Sequence, residues 1–272
     1  MAIFVALFGC GCRNWQPAEE KLPQLPAARM RPDSIALEIA IANIELSKID
    51  QLAQLWDALD EQGIAIDRRR ILDANGIRCG IAAAQMPAVF CELVEASPTN
   101  GNPPPLMAHQ LIQNGFGEVH PIEVSATVPQ LHWSVIQADQ STRSGSCENA
   151  TCYFELRTYP MGNGTAEIEL CPKILHGAPR PKLSNENNAF TLRPLLDEIA
   201  LAEVAFGCRL KPGETLILGP TNPSSGLGRI FLDGAPDGSG VARLILVRLA
   251  RTQMDDLFSP KKLHSPLATS LR

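Results

Sequence analysis

The chain has 272 residues, enough for one large domain or two modest ones with real cores. Apolar content of 45% excludes a disordered chain; 19% charged and 5% aromatic residues, with 22 prolines and 20 glycines, favour a β-rich, turn-rich fold over a helical bundle. A net charge of −5 leaves no basic excess to hold a polyanion, so nucleic acid is not an expected partner.

Residues 1–12 begin with a wholly apolar run, Met1 to Gly9, followed by Cys10-Gly11-Cys12. Nine apolar residues cannot cross a bilayer, which takes about 20, but they can form the apolar core of a secretory signal. Leu7-Phe8-Gly9-Cys10 resembles a bacterial lipobox, which makes Cys10 the expected lipidation site. A buried first strand is the competing reading. Residues 13–32, with Pro17, Pro23, Pro26 and Pro32, read as a Pro-rich tether. A lipid anchor on a leash predicts a bacterial envelope protein, membrane-anchored and facing the periplasm.

Residues 33–97 predict a small α/β module of order β-α-α-β-α. Ile35, Leu37, Ile39 and Ile41 alternate with smaller residues, so the strand has one large-residue face and one face that something approaches closely. Ser47-x-x-Asp50 fits a capping box, and Ile49, Leu52, Leu55, Trp56 and Leu59 form a helical stripe ending at Gly63. A second helix runs from Asp67 to Ala74 and stops at Asn75-Gly76. Its Arg68-Arg69-Arg70 cluster reads as a solvated face. A strand from Ile77 to Ala83 and a helix from Pro87 to Glu95 complete the unit. Ser97 to Pro105 is linker by composition, and the linker is expected over 98–116.

Residues 117–252 predict a β-rich domain. Ile122 to Val128 and Leu131 to Val135 alternate about Pro129-Gln130 and read as a hairpin. Ser141 to Ala150 reads as a polar loop, and Tyr153 to Arg157 as a strand with Phe154 and Leu156 inward. Met161 to Gly164 is a turn, Ala166 to Ile174 a strand, and Gly177 to Asn188 a polar excursion. Val204, Phe206, Cys208 and Leu210 alternate, Lys211-Pro212-Gly213 supplies turn chemistry, and Thr215 to Leu218 returns as a second hairpin arm. Gly219 is expected to be a further turn residue. Leu244 to Val247 is apolar on both faces, as a central strand is. Residues 253–272 are expected to be a flexible tail. The fold class expected is α+β: the small module, then a mostly antiparallel β-sandwich or open twisted sheet.

Ile168 to Pro172, Lys211 to Gly219 and Arg243 to Val247, in that order, resemble the C-terminal β-domain of bacterial secretins, ring-forming outer-membrane proteins. The upstream α/β unit is loosely similar to the periplasmic modules that precede that domain. Pro220 stands where the family has a second glycine, and the family's Pro-rich segment and long pore-lining hairpins are missing. The resemblance therefore implies a membrane-associated structural module that is not a pore, with Pro212, Gly213 and Gly219 as structural turn positions.

Eight cysteines leave three possibilities open. Cys147 and Cys152 can close a short disulfide loop in an oxidising compartment. Cys147, Cys152, Cys171 and His176 have zinc-like ligand types at close pair spacing. Otherwise the thiols are unpaired, with Cys79 and Cys91 read as buried apolar side chains. No Gly-x-Ser-x-Gly, His-Glu-x-x-His or Walker loop is present, so no catalytic residue and no cofactor is expected. The sequence thus predicts a non-enzymatic module acting by protein–protein contact, through an envelope partner or self-association at sheet edges, with the strand and hairpin from Ala200 as the suspected surface. The alternative is a periplasmic protein binding zinc or a small molecule.

Overall fold

The computed structural model describes residues 33–45, 48, 51–95, 106–186, 189–221, 224–233 and 241–253. Cys10, the tether 13–32, Ser47 with Ile49 and Asp50, and the tail from 254 onward lie outside these residues.

Strand β1 (Ser34–Glu45) turns Ile35, Leu37, Ile39 and Ile41 into the main core and sets Ala42 and Ile44 on the opposite face. It pairs antiparallel with β11 (Val241–Gln253) along its whole length, from Ser34 against Gln253 to Glu45 against Val241. Beyond β11 come β10 (Thr215–Pro220) and β2 (Ile77–Ala82); beyond β1 lies β3 (Leu106–Gly115). The sheet order is therefore β2-β10-β11-β1-β3, all neighbours antiparallel.

Two corrections to the sequence reading follow from this sheet. Residues 106–115, expected to belong to a linker, form a ten-residue strand. The regions 33–97 and 117–252 also share one sheet. β10 is buried at every position and β11 over most of its length, so both belong in the middle of a covered sheet and separate β1 from β2. The outer face of this sheet carries α1 (Leu52–Asp57) and α3 (Ala88–Glu95), whose Leu52, Leu55, Trp56, Phe90 and Leu93 cover Ala42, Ile44, Ile217, Leu244 and Leu246. The close approach expected on the small-residue face of β1 is this helical layer, with Trp56 in its core. The first helix ends at Ala58, short of Gly63.

The second sheet holds β4 (Val119–Glu123), β5 (Val128–Ile136), β6 (Thr142–Pro160), β7 (Ala166–Glu186), β8 (Ala189–Ala200) and β9 (Phe206–Leu210). β4 and β5 do not form the expected hairpin. Both pair with β6, at 153–157 and 142–150 respectively, and so lie end to end along one edge. The expected polar loop 141–150 is the first half of β6; its polar residues stand at exposed alternate positions, which a loop reading mistakes for a turn. The polar excursion 177–188 is likewise strand through Glu186, and it pairs with β8 as a long hairpin absent from the sequence reading. β7 accepts β8 and β9 end to end on its other side.

β9 and β10 do not pair either. The Pro212-Gly213 turn closes with a 3.0 Å hydrogen bond from Glu214 N–H to Lys211 C=O, with Gly213 at φ +92°. Pro at the second position and a left-handed Gly at the third define a type II turn. Its amides are pinned to β11, Gly213 N–H on Leu249 C=O at 2.7 Å and Leu249 N–H on Glu214 C=O at 3.0 Å. The turn thus carries the chain from one sheet to the other. Alternation alone does not reveal this, because a corner and a hairpin share the same turn residues.

Between the sheets lies the main core, built from β1, β2, β10 and β11 on one side and β4 to β9 on the other. The helix α4 (Gly226–Phe231) inserts Phe231 edge-to-face on Phe154, 5.3 Å between ring centres. α2 (Ile66–Ala74) ends at Asn75, a fully buried amide that joins three elements. Its side chain donates to Ile71 C=O and Ile136 C=O and accepts from Ile136 N–H, while its C=O accepts from Gly228 N–H.

Gly219, expected to be a turn, lies inside β10 opposite Arg78. A Cβ there would run into Leu244 and come within 2.9 Å of Trp56 Cζ2. The glycine is required by helix-to-sheet packing. Gly219→Ala is expected to destabilise the protein by about 1–3 kcal/mol, the range for overpacking, as read by urea unfolding; an unchanged midpoint would remove this explanation.

Candidate functional site

The outer face of the second sheet carries a connected polar cluster. β6 sets out Tyr153, Glu155, Arg157 and Tyr159 at alternate positions, and β7 sets out Glu169, Cys171 and Lys173 beside them in register. Lys173 Nζ donates to Glu155 Oε2 at 2.5 Å and to Glu198 Oε1 of β8 at 2.8 Å. Tyr153 donates to Glu198 at 2.6 Å, Arg157 to Glu155 at 3.1 Å, and Tyr159 to Glu169 at 3.1 Å. Burial pulls the Lys173 ammonium down, but its two carboxylate partners hold it above the ordinary lysine range. Burial and the Glu198 hydrogen bond push the Tyr153 phenol up. Cys171 sits among these groups with its thiol raised by burial, against the lowering field of Lys173. The result is a thiol held in its protonated form beside a cation shared by two carboxylates.

A cleft of about 460 Å³ opens between the sheets where β4 faces β1 and β3. Ile39, Ile41 and Ile122 give it an apolar floor, with Gln110, His120 and Glu123 at the sides. Burial lowers the His120 pKa below 6.5, which favours the neutral imidazole. Beside α2, Arg69 and Arg78 both reach Glu61, at 3.9 and 2.6 Å, and Arg78 also lies over the Trp56 ring. Arg68 and Arg70 are exposed, as the solvated-face reading expects, but Arg69 is half-buried on Glu61.

The four residues weighed as zinc ligands do not converge. Cys147 and Cys152 lie on the same strand, β6, where five extended residues span about 15 Å. A disulfide needs Cα atoms within about 7 Å, so the short loop weighed as one of three possibilities does not form, and both thiols are free and buried. Cys152 points inward beside Ile174, whereas Cys171 is on the outer face opposite Glu155. His176 lies at the β7 bulge opposite Asp197. Among the described residues no three His, Cys, Asp or Glu side chains gather to hold a metal. Cys79 is buried as expected, but Cys91 is exposed on α3.

Strand edges are the remaining surface. On the first sheet β2 is covered by a bridge to Asp60, with hydrogen bonds of 2.9 Å each way to Ile81. On the second, β4 carries Pro121, β5 Pro129 and β8 Pro194, each of which removes a donor from its edge. β9 presents Gly207 and Arg209. β3 differs from all of these. Its sequence, LMAHQLIQNG, has neither proline nor charge, and among the described residues it pairs with β1 alone. His109, Gln110, Leu111 and Gln113 are exposed along it. The suspected surface, the strand and hairpin from Ala200, is divided: 206–210 is edge, whereas 215–220 is interior to the first sheet. The β3 edge was hidden by the prolines just before it, although its uncharged ten-residue run was legible.

No protein-family model matches the chain, and no curated protein or solved structure matches it significantly.

Burial pushes the Cys208 thiol up to about 12 and the Cys79 thiol further still. Alkylation of the native protein at pH 8, mapped by peptide mass spectrometry, should therefore mark Cys91 first and Cys171 slowly among the six described cysteines. Cys79, Cys147, Cys152 and Cys208 should react only after unfolding. Fast labelling of Cys208 in the native state would contradict the packing described.

Proposed function

We propose that the chain is a non-enzymatic module of the bacterial envelope that works by offering a sheet edge to a protein partner, with Cys10 as its lipid anchor and the folded body facing the periplasm. The observation that carries this reading is the β3 edge. It is the uncharged, proline-free edge in a fold whose other described edges are bridged by Asp60, interrupted by proline or, on β9, charged at Arg209. Unpaired backbone N–H and C=O groups along such an edge take an added strand with a full ladder of hydrogen bonds. The secretin-like pattern from Ile168 to Val247 supports an envelope setting, since that family works there as an assembled structure. The cleft lined by Ile39, Ile41 and His120 favours, as a second reading, binding of a small apolar molecule.

A photo-crosslinking residue placed at Gln113, and separately at Arg193 on β8, distinguishes an engaged edge from a bare one in living cells. Adducts from Gln113 and few from Arg193 are expected, in a membrane fraction that loses the protein on Cys10→Ser. Equal or absent adducts at both sites would contradict the proposal.

A further inference from the structure

We propose that the partner of β3 is the β3 of a second copy of this chain, paired antiparallel across a two-fold axis through Leu111, so that two five-stranded sheets join into one of ten. This rests on the reading that the β3 edge is where the protein is engaged, and it names the occupant of that edge.

Symmetry supplies the first argument. A two-fold axis through Leu111 sets that residue against its own copy and every other residue against one from the same ten-residue segment, so a charge at the axis would meet the same charge across the interface. Leu106–Gly115 contains no Asp, Glu, Lys or Arg, so self-pairing meets no such repulsion. β8 contains Arg193, Asp197 and Glu198, and β9 contains Arg209. An uncharged strand also has no charge with which to select a foreign one, whereas electrostatic matching is a common source of specificity between unlike partners.

Leu111 supplies the second. It is 65% exposed, on the face of the sheet where its neighbour on β1 is Glu38. An axis through it sets the two leucines directly opposite, with Cα atoms about 4.5–5.5 Å apart, and removes both from water. His109 then faces Gln113 of the partner subunit, and Gln110 faces Ile112 of the partner subunit. The two Glu38 carboxylates beside Leu111 lie three strand spacings apart at about 14 Å, beyond the Debye length of about 8 Å. Each is also paired with Arg248 at 3.3 Å.

The test is made on the full chain in detergent. Sedimentation should show a dimer that Leu111→Lys weakens by about tenfold or more, because two ammonium groups then face each other. Leu111→Cys should give a disulfide-linked dimer on mild oxidation, since the opposed Cα atoms fall within bridging distance. Gln113→Cys, four residues off its own copy in this register, should give none beyond the parent chain oxidised in parallel. A wild-type chain that stays monomeric at about 100 μM, or a dimer unaffected by Leu111→Lys, overturns the proposal. If Leu111→Cys fails to cross-link while a photo-reactive group at Gln113 still joins a different protein, self-pairing falls and the edge reading stands. If both fail, both fall.

Discussion

The pairing of β1 with β11 is the constraint on which the rest of this structure depends. It ties Ser34–Glu45 to Val241–Gln253 over the full length of both strands, and so closes a sheet from strands nearly the whole chain apart. Because β10 and β11 are apolar on both faces, they occupy the interior of that sheet, and β2 and β3 are displaced to its two ends. The type II turn at Pro212-Gly213 is hydrogen-bonded to β11 at both Gly213 and Glu214, so the crossing between sheets is registered against the same strand. Such long-range pairing implies slow, non-local folding, with loop closure preceding most of the stabilising contacts.

Two sets of polar groups in the fold stand in contrast. On the outer face of the second sheet, Tyr153, Glu155, Arg157, Lys173 and Glu198 satisfy one another. Lys173 and Glu155 keep side-chain exposures of only 13% and 15%, so removing either would leave an opposed charge poorly solvated. This cluster ties three strands together through their side chains. The backbone of β3 is the opposite case. Among the described strands it pairs with β1 alone, and it carries no proline or charge to discourage another strand; only at its end are the Gly115 N–H and C=O taken, by Glu118 and Thr158.

Local chemistry was legible where one element decides it. The helix ending at Asn75-Gly76, the inward Phe154, Leu156, Ile168 and Leu170, the core position of Trp56 and the central β11 all follow from periodicity and turn residues. Pairing partners were not. Lys211-Pro212-Gly213 specifies a turn but not which sheet receives the strand after it, and Pro129 reads as a hairpin tip although it lies within an edge strand. Gly219 reads as a turn because its tertiary cause, the approach of Trp56 and Leu244, comes from distant parts of the chain. The proline-rich run before β3 dominates the composition of its window and masks its uncharged strand pattern.

Backbone hydrogen exchange along residues 109–114, followed at low and high protein concentration, tests the central claim most directly. The account predicts alternation: amides bonded to β1 exchange slowly at every concentration, and the outward amides exchange fast in dilute solution but become protected as concentration rises. Uniform protection at all dilutions, or fast exchange of every amide at all concentrations, would contradict it.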